Sequence, residues 1–196
     1  MKNVIVGQSG GPTSVINASL LGVFKTAKDR GADVVYGMVH GIKGLLDRDV
    51  VDLSTHIKND LDMDLLKRTP SSFLGSCRYK LPAIEGNEKT YEQIFETLKE
   101  LDIYAFFYIG GNDSMDTIDK LSKYGKKIGS PIRFMGCPKT IDNDLAITDH
   151  TPGYGSAAKY IAATTKEIIR DGLVYEYPVV FVIEVMGRKA GWITEG

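Results

Sequence analysis

Residues 140–144, which read TIDND, place two carboxylates two positions apart and directly behind a lysine. Asp142 and Asp144 repel one another, and such repulsion raises the pKa of one member of a pair. A carboxylate with a raised pKa can take a proton from an attacking hydroxyl, while its neighbour orients a metal ion or the substrate. Lys139 adds the positive charge that phosphoryl transfer requires. Aspartate and asparagine are also common in ordinary turns, so a purely structural turn stays open.

Two glycine-rich loops have the composition of anion sites. Residues 9–11 (SGG) and 110–114 (GGNDS) each precede a helical pattern. Paired glycines at such a position let backbone N–H groups approach a phosphate closely, and the helix dipole adds to the attraction. Asp113 would serve equally well as a helix cap. Each loop taken alone is explained as well by a tight turn as by a phosphate site.

Two arginines follow loops of a similar kind. Arg188 comes after Met186 and Gly187, and Arg78 ends the segment FLGSCR, residues 73–78. A guanidinium group binds phosphate or hydroxyl-rich ligands through paired hydrogen bonds. A single arginine at such a position is more often an ordinary surface residue. The three histidines show no metal-ligand spacing, and none is assigned a role.

Alternating apolar runs and helical patterns must hold these segments in place. They indicate an α/β fold, with a three-layer, doubly wound and mainly parallel sheet that carries helices on both faces. Ligands of such sheets bind at the carboxyl ends of the strands, so the loops that follow the strands are expected along one edge. These loops are residues 10–11, 110–114, 139–144 and 186–188.

Local patterns predict where the elements begin and end. Pro12 suits the first turn of the first helix and Gly31 its end, residues 41–44 are typical of a loop, and Gly125 closes the helix after Ser114. Apolar runs predict strands at residues 3–6, 33–39, 104–109, 131–136 and 179–185. Helical spacing predicts helices at residues 15–27, 91–101 and 155–171, and another beginning near residue 189.

Composition excludes several classes of protein. The 196 residues are 43% hydrophobic and 25% charged, enough for one domain plus part of another. A formal net charge of -1 argues against a nucleic-acid partner. Cys77 and Cys137 form no disulfide framework and suit a reducing cytosol. The longest strongly apolar run, residues 179–185, is too short to cross a membrane. We therefore expect a soluble, cytoplasmic protein with neither a nucleic-acid nor a membrane partner.

Six segments together resemble the phosphofructokinase family, in order and at similar separation, over essentially the whole chain. That resemblance implies a Mg²⁺-dependent enzyme of glycolysis, which transfers a phosphoryl group to the 1-hydroxyl of fructose 6-phosphate and gives fructose 1,6-bisphosphate. It also implies a homodimer or homotetramer. The six segments read GGPTSVIN, FLGSCR, IGGNDS, PKTIDND, TPGYGSA and EVMGR.

The resemblance also assigns roles, residue by residue. Asp142 looks like the general base that deprotonates the sugar hydroxyl, with Lys139 as its catalytic partner. Asn112 stands where many members have an aspartate associated with Mg²⁺, and it keeps an oxygen ligand without the charge. Contacts to the phosphoryl donor are implied for Gly11, Arg78, Gly111, Asp113 and Ser114. Contacts to the sugar phosphate are implied for Thr140, Asp142, Asp144, Met186, Gly187 and Arg188.

Two positions bear on the choice of donor. ATP-dependent members typically read GGDGS and PGTIDND, whereas this chain has Asp113 and Lys139 in place of the glycines. Asp113 would crowd and repel the α-phosphate of ATP, and Lys139 would fill the same space with a cation that grips pyrophosphate. Both changes resemble the pyrophosphate-dependent members. An ATP-dependent enzyme and a non-catalytic regulatory subunit are the alternatives.

Members of the family are considerably longer than this chain. By the same resemblance, residues 1–152 are the donor-binding domain, and residues 153–196 are the beginning of a second, similar domain that binds the sugar phosphate. We therefore expect a fragment, which on its own would not turn over.

Overall fold

The computed structural model describes residues 3–187 and 189–195. The chain divides into two compact units, Met1–Pro138 and Lys139–Gly196. The predicted domain boundary, between residues 152 and 153, falls inside the second unit, and that domain assignment stays a prediction.

A five-stranded sheet forms the centre of the first unit. Its strand order is β3-β2-β1-β4-β5, and all neighbours are parallel except β2 and β3. Val4 of the central strand lies opposite Val35 on one side and Ala105 on the other. The prediction of a mainly parallel sheet is confirmed. The strands are β1 (Asn3–Gln8), β2 (Val35–Met38), β3 (Val50–Asp52), β4 (Ile103–Gly110) and β5 (Arg133–Pro138).

Helices cover both faces of this sheet. Because successive residues of a strand point to opposite faces, Val4 and Val6 pack into one apolar core and Ile5 into the other. The first core holds helices α1 and α3, and the second holds α2, α4 and α5. The unit therefore has the predicted three layers. The helices are α1 (Ile16–Asp29), α2 (Gly41–Leu46), α3 (Asp60–Arg68), α4 (Glu88–Glu100) and α5 (Asn112–Lys127).

Some local expectations are wrong. Residues 41–44 begin helix α2 rather than form a loop, because Ile42 and Leu45 are fully buried on one helical face and this burial outweighs the low helix propensity of glycine. Helix α1 begins after Pro12, at Ile16. Helix α5 continues past Gly125, whose small size admits the rings of two phenylalanines, and ends before a glycine in the left-handed region.

The second unit contains helices α6 (Tyr154–Gly172) and α7 (Trp192–Glu195). The strand predicted at residues 179–185 is wrong for this structure. A strand needs a hydrogen-bonded neighbour, and the described part of this unit pairs none with it. The side chains of Val180 and Val182 are accordingly 86% and 92% exposed. Over the described ranges, no helix has both the length and the apolar character that a bilayer span requires.

Candidate active site

Two of the predicted loops meet at one edge of the sheet. Strands β1, β4 and β5 are parallel neighbours, so their carboxyl ends, at Gln8, Gly110 and Pro138, lie at the same edge. Both glycine loops follow directly, which confirms their predicted meeting. Lys139 is the next residue after β5, and residues 139–144 belong to the second unit. Residues 186 and 187, the described part of the fourth predicted loop, do not follow a strand.

Buried serine side chains join the two glycine loops. Ser9 follows β1 and donates its backbone N–H to the carbonyl oxygen of Ile109, at 2.9 Å. The hydroxyl groups of Ser9 and Ser114 share a hydrogen bond, and both residues are buried. A Cβ on Gly110 would lie 1.9 Å from Ser114 Oγ and 2.8 Å from Ser9 Oγ. Glycine is therefore required at this position for the hydroxyl pair to form.

The loop that contains Arg78 is hydrogen-bonded to the first glycine loop. Gly10 has a φ of 78°, in the left-handed region that favours glycine. Its N–H donates to the carbonyl oxygen of Cys77 at 3.4 Å, and its own carbonyl oxygen accepts from the hydroxyl of Ser76. Gly11 and Arg78 are the next residues on either side of this pairing. Gly11 and Arg78, both predicted to contact the phosphoryl donor, are therefore held next to each other by these hydrogen bonds.

The buried phenol of Tyr108 lies next to this junction between Gly10 and Cys77. Its hydroxyl oxygen accepts from the N–H of Ile42 at 3.1 Å and lies 3.9 Å from Cys77 Sγ. Burial raises the pKa of Tyr108, so the phenol stays neutral and serves as a fixed polar support. Cys77 packs against the second core and this hydroxyl.

Helix α5 begins at the same edge. Gly111 caps it in an extended conformation, Asn112 is its first residue, and Asp113 lies in its first turn. The positive end of the helix dipole therefore points to the edge where an anion is expected. The carboxylate of Asp113 lies 3.2 Å from Lys80 Nζ, and the two side chains are 72% and 75% exposed. Such an exposed ion pair contributes little to stability, which leaves Asp113 available to a ligand.

No described residues form a cluster of three or more histidine, cysteine, aspartate or glutamate side chains that would hold a metal ion. Asn112, the predicted metal ligand, offers one amide oxygen at the beginning of α5. Mg²⁺ is commonly bound by one or two protein oxygens together with phosphates of the substrate. The amide oxygen of Asn112 is of the right chemical kind for that mode of binding.

The first residue of the second unit is a buried lysine, Lys139. Burial lowers the pKa of its ammonium group, while the negative charge of Asp142 opposes that shift. An ammonium group in such surroundings is less hydrated than a surface lysine and interacts more strongly with an anion.

The TIDND segment is held by its own side chains. The hydroxyl of Thr140 accepts from the N–H of Asp142 at 3.1 Å. Asn143 is buried and has a φ of 56°, a conformation that asparagine adopts more readily than most residues. Its Oδ1 accepts from the N–H of Thr151 at 2.9 Å, and its Nδ2 donates to the carbonyl oxygen of Asp149 at 3.0 Å. Asn143 therefore faces inward between the two carboxylates that flank it.

The predicted sugar contacts differ in exposure. Asp142 is half-buried and Asp144 is exposed. Met186 is 71% exposed. Gly187 has a φ of 142° and accepts from the N–H of Ala190 at 2.8 Å. Arg188 lies outside the described residues.

Sequence patterns did not reveal the supporting residues. Ser9, Ser76 and Asn143 stand inside or beside the motifs, but their partners are distant in sequence or are backbone groups. The serine next to the paired glycines, Ser9, was the one local sign of a supporting residue, and serines are common in loops of any kind. The roles predicted for the site residues stay predictions.

Comparison with known proteins gives a consistent result. The model of the family described as Phosphofructokinase matches residues 3–195. A pyrophosphate–fructose 6-phosphate 1-phosphotransferase of Methylococcus capsulatus is 46% identical over 98% of this chain and 46% of its own length. An ATP-dependent 6-phosphofructokinase of Halothermothrix orenii is 32% identical over 99% of this chain and 54% of its own.

A solved structure shows the same fold. The pyrophosphate-dependent phosphofructokinase of Nitrosospira multiformis matches with a TM-score of 0.89 and 45% identity, over 98% of this chain and 48% of that one. The chain thus spans about half the length of these pyrophosphate-dependent relatives.

Proposed function

Because this chain belongs to the phosphofructokinase family, we propose that the whole protein transfers a phosphoryl group from pyrophosphate to the 1-hydroxyl of fructose 6-phosphate. The products are fructose 1,6-bisphosphate and phosphate, and the reaction is reversible. One observation carries the proposal: a buried Lys139 directly precedes the segment that holds the half-buried Asp142. Supporting it, relatives with 46% identity bear the name pyrophosphate–fructose 6-phosphate 1-phosphotransferase.

In this mechanism Asp142 is the general base. Its carboxylate takes the proton of the 1-hydroxyl as the sugar oxygen attacks the nearer phosphorus of pyrophosphate. The new phosphorus–oxygen bond forms in line with the bridging bond that breaks, and phosphate leaves with the bridging oxygen. The hydrogen bond from the N–H of Asp142 to Thr140 fixes the backbone that presents the carboxylate.

Positive charge offsets the negative charge of the donor. Lys139 would contact pyrophosphate from a partly dehydrated position, where a cation acts most strongly on an anion. The first turn of α5 and the backbone N–H groups beside Gly11 would contribute fixed partial charges. When bound, Mg²⁺ would supply further charge neutralisation, and Asn112 would hold it together with the phosphates of the donor.

Donor choice would rest on two side chains. The carboxylate of Asp113 is largely exposed at the beginning of α5, where it would repel the α-phosphate of a nucleotide. Lys139 would occupy the space that a nucleotide needs and bind the shorter donor instead. We further propose that the whole protein acts in the cytoplasm as a homodimer or homotetramer, which size-exclusion chromatography with light scattering would establish.

The proposal is tested with the full-length protein, fructose 6-phosphate and Mg²⁺, by comparing turnover with pyrophosphate and with ATP. We expect turnover with pyrophosphate, and we expect Lys139→Gly and Asp113→Gly to reduce the preference for pyrophosphate. Asp119→Gly is the matched control, since Asp119 lies on the same helix in an exposed ion pair with Lys123. Turnover with ATP alone would overturn the choice of donor, and no turnover with either donor would favour a regulatory subunit.

A further inference from the structure

The buried side chain of Gln8 connects three parts of the first unit. Gln8 is the last residue of β1 and is fully buried. Its Nε2 donates to the carbonyl oxygen of Ile16 at 3.2 Å and to Asn17 Oδ1 at 3.0 Å, both at the beginning of α1. Its Oε1 accepts from the N–H of Leu74 at 2.9 Å, and it shares the hydroxyl hydrogen of Ser72, at 3.0 Å, with the carbonyl oxygen of Gly75. Both donor hydrogens and both lone pairs of this amide are therefore used.

A second buried amide extends the connection. Asn17 Oδ1 also accepts from the N–H of Phe73 at 2.8 Å, and Asn17 Nδ2 donates to the carbonyl oxygen of Thr69 at 2.9 Å. The two amides together hold residues 69–74 against the end of β1 and the beginning of α1.

The segment held in this way has no regular structure of its own. Residues 69–87, between α3 and α4, contain neither helix nor strand. A loop of this length inside a compact unit depends on hydrogen bonds from outside it to adopt one conformation. Gln8 and Asn17 supply such bonds at its amino end, and Lys120 Nζ supplies another to the carbonyl oxygen of Leu81 at 2.9 Å.

The same segment continues to the donor loops. Immediately after Leu74, Ser76 and Cys77 are hydrogen-bonded to Gly10. Gln8 is two residues before Gly10 in the chain. The amide of Gln8 thus fixes both sides of the junction from which Gly11 and Arg78 emerge.

We propose that Gln8 is a positioning residue for the phosphoryl donor: its amide sets the position of residues 72–78, and therefore of Arg78, relative to the glycine loop at residues 9–11. This inference rests on the proposed function, since it takes Gly11 and Arg78 as donor contacts. Gln8 itself, being fully buried, acts through the loop and does not touch the donor.

The test is the variant Gln8→Glu in the full-length protein. Glutamate has the same shape but replaces both donor hydrogens with lone pairs, which would face Asn17 Oδ1 and the carbonyl oxygen of Ile16. We expect the KM for the phosphoryl donor to rise by about tenfold or more, because the loop must shift to relieve the buried acceptors that are left unsatisfied. We expect the KM for fructose 6-phosphate to change by less than about twofold, because its predicted contacts lie outside this loop.

Asn3→Asp is the matched control. Asn3 stands at the other end of β1 and bridges the carbonyl oxygen of Leu101, at 2.8 Å, with the N–H of Val34, at 3.1 Å. Its replacement also removes the amide hydrogens from a bridging side chain, so it should lower the melting temperature while leaving both KM values unchanged. Ser72→Ala is the milder second variant if Gln8→Glu fails to fold, since it removes only the hydroxyl that Gln8 Oε1 shares with the carbonyl oxygen of Gly75.

Equal changes in the two KM values, or no change in the KM for the donor, would overturn the positioning role. The donor used by the unmodified protein separates this outcome from failure of the proposed function. If that protein uses ATP, the assignment of pyrophosphate fails. The KM for ATP in the Gln8 and Ser72 variants then decides the positioning role in the same way.

Discussion

Ser9 and Ser114, 105 positions apart in the chain, share a buried hydrogen bond between their hydroxyl groups. Ser9 lies directly after β1, and Ser114 lies in the first turn of α5, after β4. This bond joins the two glycine loops, and it turns the side chain of Ser114 toward Ser9. The direct donor contact predicted for Ser114 stays a prediction.

We predict that Gly110→Ala disrupts this serine pair. The added Cβ would lie 1.9 Å from Ser114 Oγ, so the first turn of α5 must shift. The free energy of unfolding should fall by about 1–3 kcal/mol, as in other overpacked sites. Urea unfolding measures this loss. Gly22→Ala is the control, because Gly22 lies in helix α1 with no atom within 4 Å of the added carbon. Because alanine favours a helix more than glycine does, the control should lose no stability, and a Gly110→Ala variant that also loses none would contradict the packing argument.

The variant Gly11→Ala should separate donor binding from folding. A Cβ at Gly11 meets no atom within 4 Å, and Gly11 has no left-handed φ. Its thermal stability should therefore be unchanged. The KM for pyrophosphate should rise by about tenfold, because a methyl group would keep the phosphate from the backbone N–H groups. An unchanged KM with unchanged stability would show that no phosphate approaches the backbone at this glycine.

The pH dependence of activity should reveal Lys139. Burial lowers its pKa from the ordinary value of 10.5, so the ammonium group loses its proton at a lower pH than a surface lysine does. In the proposed mechanism the protonated form binds pyrophosphate, so kcat/KM for pyrophosphate should fall as pH rises through this lowered pKa. In Lys139→Arg the fall should move to higher pH, since a guanidinium stays charged. If kcat/KM falls over the same pH range in the unmodified protein and in Lys139→Arg, the fall does not come from Lys139.

Removing the proposed base should slow the chemical step. We predict that Asp142→Asn lowers kcat by about 10²–10⁴-fold, the usual contribution of a general base. The KM values should change little, since the amide keeps the shape of the side chain. Steady-state kinetics of the full-length protein gives both quantities. Asp149→Asn is the control, since Asp149 is exposed in the same segment. A kcat within threefold of the original, about 0.6 kcal/mol, would remove Asp142 from the mechanism.

Asn143 should matter to catalysis without touching the substrate. Asn143→Gly keeps the left-handed backbone and loses the two hydrogen bonds to Thr151 and Asp149. Asn143→Asp keeps an acceptor for the N–H of Thr151 and loses the donor to Asp149. We expect kcat to fall in both variants, and by more in the glycine variant. The opposite order would mean that added negative charge, rather than lost anchoring, governs the effect.

Local sequence signals predicted four of the five strands of the sheet but not the short strand β3. The apolar runs that became β1 and β4 are largely buried on both faces, and β4 and β5 end in glycine and proline, so their positions could be predicted without knowledge of distant contacts. The resemblance to phosphofructokinases then supplied the order of the motifs. Family membership is confirmed by the match over residues 3–195.

Long-range contacts explain what the sequence did not reveal. Helix α2 forms at Gly41–Leu46 because tertiary burial of Ile42 and Leu45 outweighs two glycines. The four hydrogen bonds of Gln8 connect it to residues 8 to 66 positions away, which no local pattern encodes. The apolar run at residues 179–185 has the composition of a strand, yet a strand exists only with a neighbour.

The pairing of β1 with β4 also determines when this unit can fold during synthesis. Asn3 of β1 lies opposite Ile103 of β4, and β1 separates β4 from β2 in the sheet. At about 5–20 residues per second, a ribosome releases β1 roughly 5–20 s before its partner. During this interval one edge of an apolar strand stays unpaired and able to bind other chains. Co-translational folding of this unit therefore waits for β4, and translation speed between residues 9 and 103 should influence the yield of folded protein.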